Sequence, residues 1–444
     1  PQYARAYRAL GNALRVIGEV EEAIAVYRTA LQISPDRNLH SRLMLAMNYS
    51  EKLTPAEIAD EHKRWGRMYF GDQLPRYTFA EKKMDAEKPV LTVGYVSPDF
   101  KSHPVAYFIQ PILLHHHRTR FRIVCYYTVK GADGVTRRIM KLADLWREAA
   151  GLTADKLSDQ IVADDVDILV DLAGHTSGNR LDVFARRPAP VALTYLGYPN
   201  TTGLEAIDYR LTDAWCDPVG PADEWHSEKL VRLESGFLAF EPPGENTEVP
   251  ETPGIARGYV TFGSFNKFSK LSCSAIETWV RILRAVPSAR LLLKTGGLEE
   301  PGEKMRAVRC FLDAGLDDPK RITIMDMVPS RTEHLKLYSH VDIALDTFPY
   351  NGTTTTCQAL WMGVPVISLM GASHVARVGV NVLHRLGLER LIAKSVEEYI
   401  EIAKTMAADI RAVNTLRHSL RPTMKASPLM QYDAFVSSLE NVYR

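Results

Sequence analysis

Residues Leu345–Gly371 read LDTFPYNGTTTTCQALWMGVPVISLMG. The pattern is a short apolar strand ending near Thr347, a loop marked by Pro349 and Gly352, a threonine run, a short helix and a second apolar strand. Thr353, Thr354, Thr355 and Thr356 would then stand where the loop becomes a helix N-terminus. Unpaired amides and the positive end of the helix dipole favour an anion there. Hydroxyls and N–H donors aimed at one point suit a phosphate or diphosphate. The competing reading is a threonine-rich helix cap, with Asn351 and Gly352 making the turn.

Outward from this stretch, the same texture repeats. Tyr259–Asn266, Arg290–Gly297, Arg321–Asp326, Val341–Phe348 and Pro365–Gly371 are short apolar runs, with helices at Ser274–Val286, Val375–Leu386 and Val396–Ala407. Upstream, Leu91–Ser97, Phe121–Thr128, Val166–Gly174, Val191–Tyr198 and Ile207–Asp213 form an earlier set, with a helix at Thr153–Ala163. Near-continuous apolar strands alternating with helices predict parallel sheets covered on both faces. The reading is α/β, two doubly wound Rossmann-like domains at 88–240 and 258–444, joined by the Pro/Gly/Glu-rich linker 241–257. A final helix near Pro428–Tyr443 is expected to return to the first domain. Ligands in such sheets bind beyond the strand C-termini, so a cleft between the halves is the expected site.

Ahead of the sheets lies a helical pair. Tyr7, Leu10, Gly11, Leu14, Gly18, Ala23, Tyr27, Ala30 and Pro35 fall at the 34-residue tetratricopeptide spacing. Small residues let the helices approach while Leu10, Leu14 and Tyr27 fill the seam. One repeat cannot bury its own face, so 1–37 reads as the end of a longer array, and 38–87 as a helical cap or linker.

Composition narrows the function. The 444 residues are 46% apolar and 24% charged with a net charge of +1, so no basic field points to nucleic acid. No apolar run approaches the ~20 residues of a membrane span. Cys125, Cys216, Cys273, Cys310 and Cys357 are scattered without a C-x-x-C pair. Reduced thiols in a cytoplasmic protein are the expectation.

The unusual residues fall after strands. His103 follows the first strand and can act as a general base, or lie in a surface loop. His115, His116 and His117 are consecutive, point in different directions and lack a carboxylate at ligand spacing, so they read as a solvated helix end. His175 sits in the Gly/Thr loop DLAGHTSGNR. Lys267 and Lys270 leave a strand in SFNKFSK, where a lysine can neutralise a diphosphate as a point charge. Arg331 and His334 open a helix in VPSRTEH, and His334 can stack on a nucleobase or lie on the helix surface. No Walker, G-x-G-x-x-G or nucleophile-elbow pattern occurs, and no D-x-D run stands in a loop, so a metal-free site without a cofactor is favoured.

As a set, GYVSPDFKSHP, ARRPAPV, LGYPNTTG, SEKLVRL, FGSFNKFSK and DTFPYNGTTTTCQALWMGVP, following the repeat, resemble the protein O-GlcNAc transferases and the SPINDLY protein O-fucosyltransferases. The resemblance implies an inverting, metal-independent glycosyltransferase of B-type fold that moves a sugar from a nucleotide diphosphate to Ser/Thr hydroxyls. It implies His103 as base or acceptor-side residue and Lys270 as the diphosphate partner. His334 would stack on the base, Arg331 would stand near the ribose, and Thr353–Thr356 would form the phosphate loop. His175, Asn351 and Gly352 are grouped with the nucleotide-sugar residues. The animal O-GlcNAc transferases carry histidine at Thr353 and aspartate at Gln358. The four-threonine form is similar to SPINDLY and leans the donor toward GDP-fucose over UDP-GlcNAc. Expected partners are the nucleotide sugar and protein or peptide acceptors recruited by the repeat, with no nucleic acid or membrane partner and with room for a homo-oligomer. The alternatives are a nucleotide-sugar epimerase or hydrolase of the same fold, and a non-catalytic scaffold that senses nucleotide sugars.

Overall fold

The computed structural model describes residues 3–73, 75–77, 79, 89–243, 247–296, 298, 300–328 and 330–444. All of 80–88 at the end of the expected cap, 244–246 of the linker, Gly297 of RLLLKTGG and Pro329 of VPSRTEH lie outside the described residues.

The chain divides into two compact units. One comprises Asp36–Leu45, Leu53–Glu241 and Pro428–Arg444. Its sheet holds β1 (Leu91–Ser97), β2 (Phe121–Tyr127), β3 (Leu145–Glu148), β4 (Ile168–Asp171), β5 (Val191–Thr194), β6 (Tyr209–Thr212) and β7 (Lys229–Arg232), in the order β3-β2-β1-β4-β5-β6-β7. Every pairing is parallel. The strand order reverses between β1 and β4, which opens a crevice at their C-terminal ends.

The other unit comprises Pro1–Pro35, Ala46–Lys52 and Pro242–Ser427. It holds β8 (Thr261–Ser264), β9 (Arg290–Lys294), β10 (Ile322–Met325), β11 (Ile343–Leu345), β12 (Val366–Leu369) and β13 (Ile392–Ala393), in the order β10-β9-β8-β11-β12-β13. These pairings are parallel too, and the order reverses between β8 and β11. Two doubly wound sheets are what the alternating texture predicts.

Three strands and several helices, among them Gly134–Leu142, Pro301–Asp313 and Ile410–Ala426, escape that texture. β3 (LWRE), β7 (KLVR) and the two-residue β13 are sheet edges, and an edge strand needs neither length nor a continuous apolar run. The helix Ile410–Ala426 keeps an apolar stripe through Val413, Leu420 and Met424, but the internal Pro422 reads as a helix breaker.

In the second unit, α1 (Ala4–Val16) and α2 (Val20–Ile33) pair closely. A Cβ on Gly11 would stand 2.5 Å from the Tyr27 ring, so only glycine admits that approach. The helices α3 (Arg37–Met47) and α4 (Pro55–Phe70) supply Met44 and Trp65 to the core under the first sheet. Thr54 and Glu57 form a capping box at the start of α4, with Pro55 in the first turn.

Of the three consecutive histidines read as a solvated helix end, His117 is exposed but His116 is not. His116 is buried and bonded to Tyr95 Oη at 2.9 Å and to Glu440 at 3.0 Å. Glu440 also accepts the His117 amide at 2.8 Å and bonds its ring nitrogen at 2.7 Å, while His115 pairs with Asp433. Both acids belong to the C-terminal helix Tyr432–Tyr443, more than three hundred residues away, so no local pattern could reveal the partners.

Candidate functional site

In the second unit, the loops after β8 and β11 flank the point where strand order reverses. The loop after β11 is built around Asp346, which is buried. Its carboxylate accepts the amides of Thr347 (2.9 Å) and Gly352 (2.7 Å) and the Ser368 hydroxyl (2.8 Å). Burial pushes this carboxyl up to about 6 despite those donors. Asn351 is fully buried and committed: its amide donates to Val375 O, its Nδ2 to Thr347 O, and its Oδ1 accepts from the Gly379 amide. Asn351 therefore shapes the loop through both side-chain atoms. Gly352 is similarly structural. A Cβ there would stand 2.4 Å from Thr355 Oγ1 and 2.7 Å from Thr356 Oγ1.

Thr353 precedes the helix Thr354–Trp361 and its side chain makes no capping bond, so the plain helix-cap reading fails at the residue it needs. The hydroxyls of Thr355 and Thr356 donate inward, to Asn266 Oδ1 at 2.9 Å and Gly352 O at 3.0 Å. The donors left for an anion are the first-turn amides and the hydroxyls of Thr353 and Thr354. A recess beside them is lined by Ser264, Phe265, Asn266, Asp346, Thr355 and Thr356.

Lys270 closes the short helical turn Phe268–Lys270 after β8. Its ammonium donates to Asn351 O at 2.7 Å and lies 4.0 Å from the centroid of the Tyr350 ring. Burial pulls this lysine down to about 7, with the Asp346 charge opposing the shift and Lys267 adding to it. Lys267 itself is exposed.

His334 lies in the helix Arg331–Lys336, capped by Ser330, whose side chain accepts the Glu333 amide. Its Nε2 donates to Gln358 Oε1 at 3.0 Å. Phe265 and Tyr338 flank the ring at centroid distances of 5.8 and 5.7 Å. Burial first, then the Lys294 charge, pushes His334 down to about 4, so at neutral pH it is an uncharged flat ring held edge-on. Arg331 is half-buried at the first position of the same helix.

In the first unit, His103 sits beyond β1 at the reversal point. Its Nδ1 lies 3.5 Å from Asp99 Oδ2 and 3.4 Å from the Val105 amide. The Val105 amide donates to Nδ1, and the Asp99 carboxylate stands beside the same nitrogen, where it would stabilise a protonated ring. Burial pushes the Asp99 carboxyl up to about 6.

His175 is displaced from its expected role. It is buried, with Nδ1 bonded to Ser41 Oγ at 3.0 Å and Nε2 to Thr202 O at 2.8 Å, and it packs edge-on to Trp65. Both nitrogens are spent inside the protein, so the ring offers a ligand nothing. Its surroundings are the joint where α4 meets the LGYPNTTG loop. A Cβ on Gly66 would stand 1.8 Å from Gly203 O, and Thr201 and Thr202 are tied to the buried Glu228. The glycines and threonines of that motif serve helix docking.

Sequence reading missed Asp346 as the hub, and also Phe265, Tyr338 and Lys294. Lys294 ends β9, is buried, and donates to the Met327 thioether at 3.4 Å. A lysine closing an apolar strand was the available signal. Among the described residues, no group of three or more His, Cys, Asp or Glu could hold a metal ion.

Comparison with known proteins places this arrangement. The profile of the family described as Glycosyl transferase family 41 matches residues 71–241 and 251–439. A mutant of the O-GlcNAc transferase of Thermobaculum terrenum superposes with a TM-score of 0.93 at 36% identity, covering 99% of this chain and 83% of that one. A Solanum lycopersicum protein named probable UDP-N-acetylglucosamine–peptide N-acetylglucosaminyltransferase SPINDLY is 42% identical over 419 residues, 93% of this chain and 45% of its own length. An Arabidopsis thaliana protein with the same enzyme name, designated SEC, is 31% identical over 363 residues, 80% of this chain and 36% of its own. The chain thus spans less than half the length of these curated relatives. With both α/β units inside the match, and identity to SPINDLY well above identity to SEC, the chain belongs to glycosyl transferase family 41, on its SPINDLY branch.

Proposed function

We propose that this chain transfers a sugar from a nucleotide diphosphate to Ser/Thr hydroxyls of proteins, with inversion and without a metal. One observation carries the reading: Lys270 Nζ is bonded to Asn351 O, two residues before the threonines that open a helix N-terminus. A cation and a set of amides meet where a diphosphate would sit.

The acceptor oxygen attacks the anomeric carbon while the bond from that carbon to the diphosphate oxygen breaks on the opposite side. Negative charge grows on the leaving diphosphate. Lys270 and the Thr353–Thr356 loop are preorganised to meet it, which is the larger catalytic contribution. His103 takes the hydroxyl proton, with the Asp99 carboxylate 3.5 Å from its ring stabilising the imidazolium that forms, a step worth ~10²–10⁴-fold. The His334 ring carries the nucleobase and Arg331 reaches the ribose. The α1–α2 hairpin, read as the last tetratricopeptide repeat, recruits protein acceptors.

The four-threonine form with Gln358 leans the donor toward GDP-fucose. UDP-GlcNAc, the donor printed in the names of the SPINDLY and SEC relatives, is the alternative. Calorimetric titration with GDP and with UDP separates them. Tight GDP binding without UDP binding supports GDP-fucose, and the reverse pattern assigns UDP-GlcNAc. Sugar transfer to a peptide library, read by mass spectrometry, tests the activity itself. Donor hydrolysis or epimer formation without peptide labelling would refute protein transfer.

A further inference from the structure

Tyr49 lies outside every motif named so far, on the segment that leaves α3, and it is buried. Its ring stacks on Tyr350 with centroids 4.8 Å and planes 18° apart. Tyr350 in turn presents its ring to the Lys270 ammonium at 4.0 Å. Ser269, the residue before Lys270, and Arg15 in the last turn of α1 are the polar groups that face the Tyr49 hydroxyl, and they oppose the rise that burial gives its pKa.

The neighbourhood is fastened to the helical hairpin at several further points. Ser50 Oγ donates to Glu21 of α2 at 2.6 Å, and Arg306 pairs with Glu19 at 2.6 Å. A Cβ on Gly18 would stand 3.3 Å from the Phe268 ring, on the same short turn as Lys270. The Ser274 amide, just beyond that turn, donates to Glu51 at 3.2 Å. All of these residues lie within one compact unit.

A lysine ammonium removed from water depends on what faces it. Here one carbonyl and one aromatic face supply the close contacts, and a π face stabilises a cation only when the ring is held toward it. An unsupported tyrosine ring turns about its side-chain torsions, whereas a stacked one is held. We propose that Tyr49 is a positioning residue for Lys270: its ring fixes Tyr350, and Tyr350 keeps the ammonium charged and aimed where the diphosphate departs. The helical hairpin thereby contributes to the donor site through the segment that carries Tyr49, which Glu21 holds at Ser50. The inference rests on the assignment of Lys270 to the diphosphate.

The test compares Tyr49→Leu, which fills space without a π face, with Tyr49→Phe, which keeps the ring. Transfer is measured against pH, alongside thermal unfolding. Tyr49→Leu should lower kcat roughly 3- to 30-fold, the size of a desolvated cation–π contact. It should also move the alkaline limb of kcat/KM to lower pH, because a lysine deprived of its π face gives up its proton sooner. Tyr49→Phe should restore both. If Tyr49→Leu does not fold, Tyr49→Phe and Tyr49→His, which keep a stacking ring, should hold the parental limb while Tyr49→Met, which keeps bulk without a ring, should move it to lower pH. A folded leucine variant with the parental limb, or a loss that phenylalanine fails to rescue, overturns the proposal. Lys270→Met separates the two ideas. Parental turnover there refutes the lysine assignment and this inference with it, while an inactive Lys270→Met beside an unshifted Tyr49→Leu refutes only the positioning role.

Discussion

Lys270 Nζ and Asn351 O are 2.7 Å apart, which ties the loop after β8 to the loop after β11 across the point where strand order reverses. The bond joins two segments separated by eighty-one positions and fixes the cation next to a helix N-terminus. The functional reading depends on this contact, and the first prediction follows from it.

Replacing Lys270 with alanine should lower kcat by about 10²–10³-fold, the usual loss for a preorganised donor to a developing anion. Arginine should not restore it, since the larger planar guanidinium presents a fork of donors where the loop offers the compact ammonium one carbonyl, Asn351 O. The pH dependence has a definite sign. Only the protonated amine stabilises the diphosphate, and burial brings its pKa to about 7. kcat/KM should therefore fall as pH rises through about 7 in the free enzyme. Bound diphosphate favours the ammonium, so the limb in kcat should lie higher. The same depression means that the unfolded chain holds more protons between about 7 and ~10.4, so this group's contribution to stability rises with pH across that window.

Arg331→Ala should raise the donor KM roughly 5- to 20-fold with little change in kcat, as expected for binding made equally in ground and transition states. His334→Ala should weaken the donor by about 1–3 kcal/mol, the range for a lost base-stacking partner, while His334→Phe keeps a flat ring and most of the affinity. Because His334 is pushed down to about 4, donor affinity should show no histidine step between pH 6 and 8 attributable to this ring. Calorimetry with the nucleotide diphosphate checks all three.

His103→Ala should slow transfer by ~10²-fold or more while donor affinity stays near parental. Asp99→Asn should give a smaller loss and a changed profile. Asp99 ionises near 6, so the parental kcat/KM should fall as pH drops through about 6, and that acid limb should disappear in the asparagine variant. An unchanged limb would show that the Asp99 carboxylate does not stabilise the protonated His103 ring.

Glu440→Ala should destabilise the first unit by about 2–4 kcal/mol, since it leaves the buried His116 and the His117 amide without their shared acceptor. The partners hold Glu440 below the ordinary glutamate range even though burial opposes them. That stabilisation is present above the unfolded glutamate pKa and is lost as pH falls through the folded one. Thermal unfolding of the parent and the variant should therefore converge at low pH.

The sequence by itself determined the two parallel sheets, because buried parallel strands are continuous apolar runs and helices between them keep a different period. It also determined that a threonine loop opens a helix and that Lys270 leaves a strand, since strand ends and turns are set by neighbours within a few positions. Those local rules do not say which way a side chain faces or what lies across the chain. His175 has the loop context of a ligand contact, yet Ser41 and Thr202 consume both its nitrogens. His116 resembles a solvated residue until Glu440 arrives from the C-terminal helix. Asp346 is one aspartate among many until Thr347, Gly352 and Ser368 converge on it. Tyr49 bears on Lys270 only through the stacked ring of Tyr350. Each of these was decided by packing between residues far apart in sequence, where burial withdraws water and leaves a polar atom only the partners that the fold provides.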